Sequence, residues 1–253
     1  MAARDLIIGG LHAARMAFAR RGGDVLELWL RGERDATTTH ELEASARALG
    51  VTVQRVDDAT LDRLYGDDHH QGVVLRRRPP PTVELETVLA RAVEAGRAAL
   101  LLVLDNVQDP RNFGACLRAA DGAGVDGVIF TRDRSARLTS VVAKTASGAL
   151  DSVALIAVPN LASALRQLAA AGVWTCGAAH DGPVSLYQAD LSLPSALVLG
   201  NEGEGLRRLT RERCDQLIYI PMHGEVSSLN VATAAAVCLF EARRQRAAGA
   251  GCA

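Results

Sequence analysis

The sequence has almost no lysine. Of its 28 lysines and arginines, only Lys144 is a lysine, leaving 27 arginines among 253 residues. That bias reads in two ways. The planar guanidinium suits bidentate contacts to phosphates and bases, and a GC-rich genome favours arginine and alanine codons without any functional cause. Net charge is also lacking, at −1 at pH 7, so no global basic field marks a nucleic-acid partner. Cysteines are few, and Cys116, Cys176, Cys214, Cys238 and Cys252 form no C-x-x-C pair. This argues against a zinc site and a disulfide framework, so no metal is expected. No apolar run approaches the roughly 20 residues that cross a bilayer, and the opening residues lack the long apolar core of a signal peptide. A reducing, cytoplasmic setting with no membrane partner is the expectation.

What is present is a large apolar fraction, 49%, enough for a substantial core. Residues 1 to about 75 read as a small α/β unit. Helical spacing at Gly10–Arg20, Thr39–Leu49 (with Thr38 or Thr39 as cap) and Asp57–Tyr65 alternates with strands at Val25–Leu30, Val51–Arg55 and Gly72–Leu75. Residues 76–85 then combine Arg76, Arg77 and Arg78 with three consecutive prolines. Such a stretch continues neither helix nor ladder, and it reads as a linker. Its arginines are either solvated or available to RNA phosphate. From residue 86 to 253, apolar strands at Ala99–Leu104, Gly127–Phe130, Val153–Ala157, Val173–Cys176, Ala196–Leu199 and Leu217–Ile220 alternate with helices such as Asn160–Ala171. That pattern predicts an α/β domain with a mainly parallel sheet covered on both faces.

Three segments begin where such strands stop, the place where α/β folds put binding sites. The first is Asp105-Asn-Val-Gln-Asp-Pro-Arg-Asn-Phe-Gly-Ala-Cys-Leu-Arg118. Asn112 reads as its helix cap or as a loop-fixing group, and Arg111 and Arg118, two turns apart, share a helix face. The second is Gly200-Asn-Glu-Gly-Glu-Gly205. Its glycine spacing is not a dinucleotide fingerprint, and its acids suit a neutral or cationic ligand better than a pyrophosphate. The third is Ile220-Pro-Met-His-Gly-Glu-Val-Ser-Ser-Leu-Asn230. Here Ser227 or Ser228 reads as the cap of a helix over Leu229 to about Arg244, which leaves Asn230 unexplained. The cations at the end of that helix suit its dipole. His223 has no catalytic or metal-binding neighbours in sequence, and His69 and His70 read as structural.

In their order and spacing, the three segments resemble the SpoU (TrmH-like) family of RNA ribose 2′-O-methyltransferases. The resemblance covers residues 99–246, and His70-Gln-Gly-Val-Val74 is similar to that family's small RNA-binding domain. Arg132–Ala136 and Arg207–Asp215 favour its 23S ribosomal RNA guanosine members. The resemblance implies a SPOUT-type trefoil knot in residues 86–253 and an RNA-binding domain in residues 1–75. It also implies a homodimer whose active site is finished across the interface. S-adenosylmethionine is the implied cofactor, held by Gly177, Leu199, Gly200, Ile220, Met222, Ser228 and Leu229. The implied reaction methylates the ribose 2′-hydroxyl of a guanosine in 23S ribosomal RNA, in the peptidyl-transferase region. Arg118 stabilises the developing alkoxide, while Asn112, Glu202, Ser228 and Asn230 orient the groups. The rivals are another ribosomal or transfer-RNA ribose methyltransferase and a non-catalytic ribosome-assembly factor.

Overall fold

The computed structural model describes residues 5–32, 36–133 and 135–250. Cys252, Arg134 and the Thr38 side chain lie outside the described residues. The chain forms two compact units, one of residues 1–81 with 138–152 and one of residues 82–137 with 153–253.

Along the first unit run β1 (Leu6–Gly9), α1 (Leu11–Arg21), β2 (Val25–Arg31), α2 (Ala36–Ala48), β3 (Thr52–Val56), α3 (Asp58–Tyr65) and β4 (Val73–Arg77). The sheet order is β1-β4-β2-β3, with β4 antiparallel to both neighbours and β2 parallel to β3. Asp57 caps α3 by accepting from Thr60 N at 2.9 Å. His70 is buried, and its Nδ1 accepts from Gly72 N at 3.0 Å. The ring proton therefore sits on Nε2, which donates to Asp62 Oδ1 at 2.9 Å. The motif around His70 is thus a turn lock.

β4 extends through Arg76 and Arg77, where the sequence suggests a linker. Arg77 neither faces solvent nor waits for phosphate: it is fully buried and donates to Asp151 Oδ1. Asp151 belongs to a pair of helices, α6 (Ser140–Ala146) and α7 (Ala149–Ser152), far along the chain. Ser140 Oγ accepts from Ile7 N at 2.8 Å, and Lys144 pairs with Asp67. The sole lysine is thus a structural ion-pair partner.

The second unit contains α4 (Leu85–Glu94), β5 (Leu100–Asp105), α5 (Pro110–Gly122), β6 (Gly127–Thr131), β7 (Leu155–Val158), α8 (Leu161–Ala170), β8 (Trp174–Ala178), β9 (Val184–Ser185), β10 (Ser195–Gly200), α9 (Arg208–Arg213), β11 (Gln216–Tyr219) and α10 (Val231–Ala250). Its strands form one parallel sheet in the order β7-β6-β5-β10-β8-β11-β9. All of β5 is buried, as an unbroken apolar run requires when helices cover both faces. One face packs Leu101, Val103, Ile129, Ile156 and Val198 against Leu85, Val88, Leu161, Leu165 and Leu168. The chain leaves β5 toward β6 and β7, then crosses over to β8, and β10 fills the gap between β5 and β8. The carboxyl ends of β5 and β10 meet where the winding reverses, the usual place for a ligand crevice.

The polar end of α10 is built differently from its sequence reading. Arg246 is half-buried and donates to the carbonyls of Ala98, Ala99, Leu191 and Leu193 and to Ser195 Oγ. Arg243 donates to Ala123 O and Gly124 O. These arginines satisfy loop carbonyls that would otherwise be stranded, which serves packing more than the helix dipole.

Candidate active site

Each of the three segments is shaped by its own local chemistry. After β5, Asn106 takes a left-handed φ of 62° and turns the chain. Asp109 then caps α5, accepting from Arg111 N at 2.6 Å and Asn112 N at 3.2 Å, with Pro110 in the first turn. The cap is therefore Asp109 and not Asn112, whose side chain is free for longer-range contacts. Phe113, Cys116, Leu117 and Ala120 bury one stripe of the helix. Burial pushes the Cys116 thiol up to about 12, helped by the charge of Glu202, so it stays protonated beside the site.

The Gly200–Gly205 loop closes on itself. Asn201 Oδ1 accepts from Gly203 N at 3.1 Å and Glu204 N at 2.7 Å, and Gly205 N returns to Asn201 O at 3.0 Å. A Cβ on Gly200 would lie 2.0 Å from the carbonyl carbon of Gly205, so only glycine fits while the loop stays closed. Gly200→Ala should open this loop and weaken cofactor binding by at least about a hundredfold, roughly the loss of two charge-assisted hydrogen bonds. Titration calorimetry would show it, and an unchanged affinity would mean the loop does not shape the cofactor site. Behind the loop, buried Asp105 accepts from Arg207 N at 3.0 Å and Arg207 Nε at 2.5 Å. Sequence reasoning missed this tie. Its one signal was an aspartate ending an otherwise apolar strand.

In the third segment the cap of α10 is Asn230 and neither serine. Asn230 Oδ1 accepts from Ala232 N at 2.9 Å and Thr233 N at 3.4 Å. An amide can accept at the helix while donating elsewhere, and this second function explains the residue. Asn230 Nδ2 donates to Asn112 Oδ1 at 3.0 Å and also to Glu202 Oε1. Asn112 Nδ2 donates to the same Glu202 Oε1 at 2.9 Å, and Val231 N approaches it at 3.4 Å. Asn112, Glu202 and Asn230 thus form a closed triangle, one member from each segment. The three bonds to Glu202 all converge on Oε1, which leaves Glu202 Oε2 available.

Glu202 also lines a cleft of about 470 Å³ at the carboxyl ends of β8, β10 and β11. Leu199, Gly200, Ile220, Met222, Ser228 and Leu229 all line it, as the sequence suggests. Gly177 does not. It is buried on β8, where a Cβ would come within 2.9 Å of Cys214 Sγ, Leu206 Cδ1 and Leu217 Cδ2. Its role is core packing, and its neighbour Ala178 is the residue that reaches the cleft. Arg211 stands on the rim, paired with Asp181 at 2.8 Å through both nitrogens, and holds that carboxyl below its usual range. His180 lines the cleft as well. His223 is exposed and does not line it.

Arg118 stays apart. It is exposed and has no hydrogen bond or ion pair among the described residues. Six residues along α5 place it about 9 Å farther up the helix than Asn112 and on another face. The cleft itself offers apolar walls from Leu199, Leu206, Ile220, Met222 and Leu229, with the carboxylates of Glu202 and Glu204. Among the described residues its one arginine, Arg211, is already paired. This donor set suits an adenosine carrying a cationic centre and does not suit a pyrophosphate.

Comparison with known proteins gives the family. The family model described as SpoU rRNA Methylase matches residues 99–240, and the one described as RNA 2′-O ribose methyltransferase substrate binding matches residues 7–83. The 23S rRNA (guanosine-2′-O-)-methyltransferase RlmB of Yersinia pestis is 47% identical over 240 residues, covering 95% of this chain and 97% of that one. Among solved structures, the SpoU methyltransferase AviRb from Streptomyces viridochromogenes, in complex with AdoMet, superposes with a TM-score of 0.81 at 27% identity, over 96% of this chain and 91% of that one. The AdoMet-bound rRNA methyltransferase from Sinorhizobium meliloti gives 0.78 at 26% identity, over 95% and 87%. The methylase match spans residues 138–152, the segment that packs with the first unit.

Proposed function

Because this chain belongs to the SpoU rRNA methylase family, we propose that it methylates the ribose 2′-hydroxyl of a guanosine in 23S ribosomal RNA, with S-adenosylmethionine as donor. The observation that carries this is the Asn112–Glu202–Asn230 triangle at the edge of the cleft. A non-catalytic assembly factor would have no need to hold a carboxylate oxygen under three donors.

Bound in the cleft, S-adenosylmethionine supplies a methyl group already activated by its positive sulfur. The apolar side chains of Leu199, Ile220, Met222 and Leu229 bind its flat and aliphatic parts, and Ser228 offers a hydroxyl on the same wall. Asn112 and Asn230 fix the Glu202 carboxylate, so that Oε2 accepts the hydrogen of the ribose hydroxyl. This aligns the oxygen for an in-line displacement. Arg118 binds the neighbouring phosphate and stabilises the developing alkoxide. A guanidinium remains protonated in proteins, so its contribution is charge, and the hydroxyl proton passes to Glu202 Oε2, which holds it by a hydrogen bond, and from there to water.

The separation of Arg118 from the triangle supports a homodimer in which one copy's Arg118 serves the other's cleft. Phe240 on α10, 52% exposed, contacts the α5 end near Gly122 and offers apolar surface for such a contact. The placement of β10 between β5 and β8 supports a knotted path through the 220–230 segment. The buried free thiols of Cys116, Cys176 and Cys238 suit a reducing cytoplasm. Among the described residues no helix is long and apolar enough to cross a membrane.

The test is a map of 2′-O-methyl groups in 23S ribosomal RNA from cells lacking this protein. One guanosine methylation should vanish and return with the wild-type gene but not with Asn230→Ala. An unchanged map in ribosomal RNA, or a loss confined to transfer RNA, would overturn the reading.

A further inference from the structure

A second cleft, of about 480 Å³, lies at the carboxyl ends of β6 and β7 and is unused by the chemistry above. Its walls are apolar where Pro159, Leu161 and Leu209 contribute. Two polar groups on it have no partner at their business ends. Arg207 is held at its root by buried Asp105, through its backbone N and its Nε. Its two terminal nitrogens make no hydrogen bond among the described residues. A buried carboxylate therefore fixes the root of an arginine that lines the cleft. On the other side Asp133 is exposed, and its carboxylate likewise has no partner among the described residues. The N-terminus of α8 does not explain the site, because Asn160 Oδ1 already takes Ala162 N at 2.8 Å and Ser163 N at 3.4 Å. Nor does a simple phosphate site, which would carry neither an unpaired carboxylate nor apolar walls.

We propose that this cleft binds the guanine base of the nucleotide being methylated, with Asp133 and Arg207 as its specificity-determining residues. The inference rests on the methyltransferase reading above. Guanine presents two donors, N1–H and the 2-amino group, beside one acceptor, O6. A carboxylate accepts both donors, while a guanidinium donates to O6. Adenine would turn its N1 lone pair toward the Asp133 carboxylate and its amino group toward the Arg207 fork, mismatched at both. The two clefts adjoin in the chain: Leu206 lines the first and Arg207 the second, and consecutive Cα atoms are about 3.8 Å apart. In this proposal a base in the second cleft carries its ribose toward the first across the Leu206–Arg207 segment that walls both.

The experiment uses the full chain and two synthetic RNAs that carry the target site, one with guanosine and one with inosine at the methylated position. Inosine lacks only the 2-amino group. Wild type should prefer guanosine by about tenfold or more in kcat/KM, the value of one hydrogen bond to a charged partner. Asp133→Ala, which removes the bonds to both N1–H and the 2-amino group, should lose about a hundredfold on guanosine and about tenfold on inosine, and so show equal rates on the two RNAs. Asp133→Asn, with one acceptor left, should fall between. Both variants should bind S-adenosylmethionine as wild type does, which shows that the fold survives. A wild type that methylates guanosine and inosine equally, or an Asp133→Ala chain that keeps the preference, overturns the subsite alone. A wild type inactive on guanosine RNA overturns the methyltransferase reading and the subsite with it.

Discussion

Arg118→Ala and Asn230→Ala chains, each inactive alone, should recover activity when refolded together. Either substitution should lower turnover by about 10²–10³-fold, the effect of removing one group that stabilises developing charge. Cofactor affinity of Arg118→Ala should stay near wild type, because Arg118 touches neither the cleft nor the triangle. In a mixed dimer one site pairs an intact Asn112–Glu202–Asn230 set with an intact Arg118 from the partner. The other site has neither. Equal mixing makes half the dimers mixed and half their sites complete, so about a quarter of wild-type activity should return. Methyl transfer to RNA after co-refolding measures this. If Arg118 served its own cleft, every site in the mixture would carry one defect and no activity would return.

Asp151→Ala should unfold the first unit selectively. Removing Asp151 strands the Arg77 guanidinium, which is fully buried and already has one terminal nitrogen without a hydrogen-bond partner. Breaking a buried pair in this way costs about 3–5 kcal/mol, a large share of the 5–15 kcal/mol typical of a domain. Hydrogen exchange should show lost protection in β4, α6 and α7, with protection in β5 and β10 and the affinity for S-adenosylmethionine maintained. Replacing the pair together, Arg77→Met with Asp151→Leu, should restore most of the stability, because no charge is then left unpaired. A single Asp151→Ala chain within about 1 kcal/mol of wild type would show that the pair does not hold the unit together. The same contacts bear on a fragment of residues 86–253, which the sequence presents as self-contained. It would carry α6 and α7 without β1, β4 and α1, on which they pack.

Much of the site was legible because its signals are local. Apolar runs marked β5, β10 and β11, and the polar residues just after them marked the crevice. The resemblance named Leu199, Gly200, Ile220, Met222, Ser228 and Leu229, and all six line the cleft. What failed was also local in kind. Asn112 was read as a cap or a loop-fixing group, and Ser227 or Ser228 as a cap, yet Asp109 and Asn230 are the caps in the structure. One-dimensional spacing ranks possible caps but does not show which side chain has a second partner waiting across the fold. Gly177 came from the resemblance as part of the cofactor pocket, and in the structure Leu206, Leu217 and Cys214 crowd it.

The sequence by itself determined most of the strands, several helices, the three segments at strand ends and the chemistry they could carry, because these depend on periodicity and residue type within a few neighbours, while β1 and β9 escaped it. Tertiary structure alone decided three things. It closed Asn112, Glu202 and Asn230, up to 118 residues apart, into one triangle. It turned Arg77 from a linker charge into a buried partner of Asp151, and it took residues 138–152 from the second unit into the first. The reason is common to all three. A polar group that leaves water must find its partner wherever the fold brings one, and no distance along the chain records where that is.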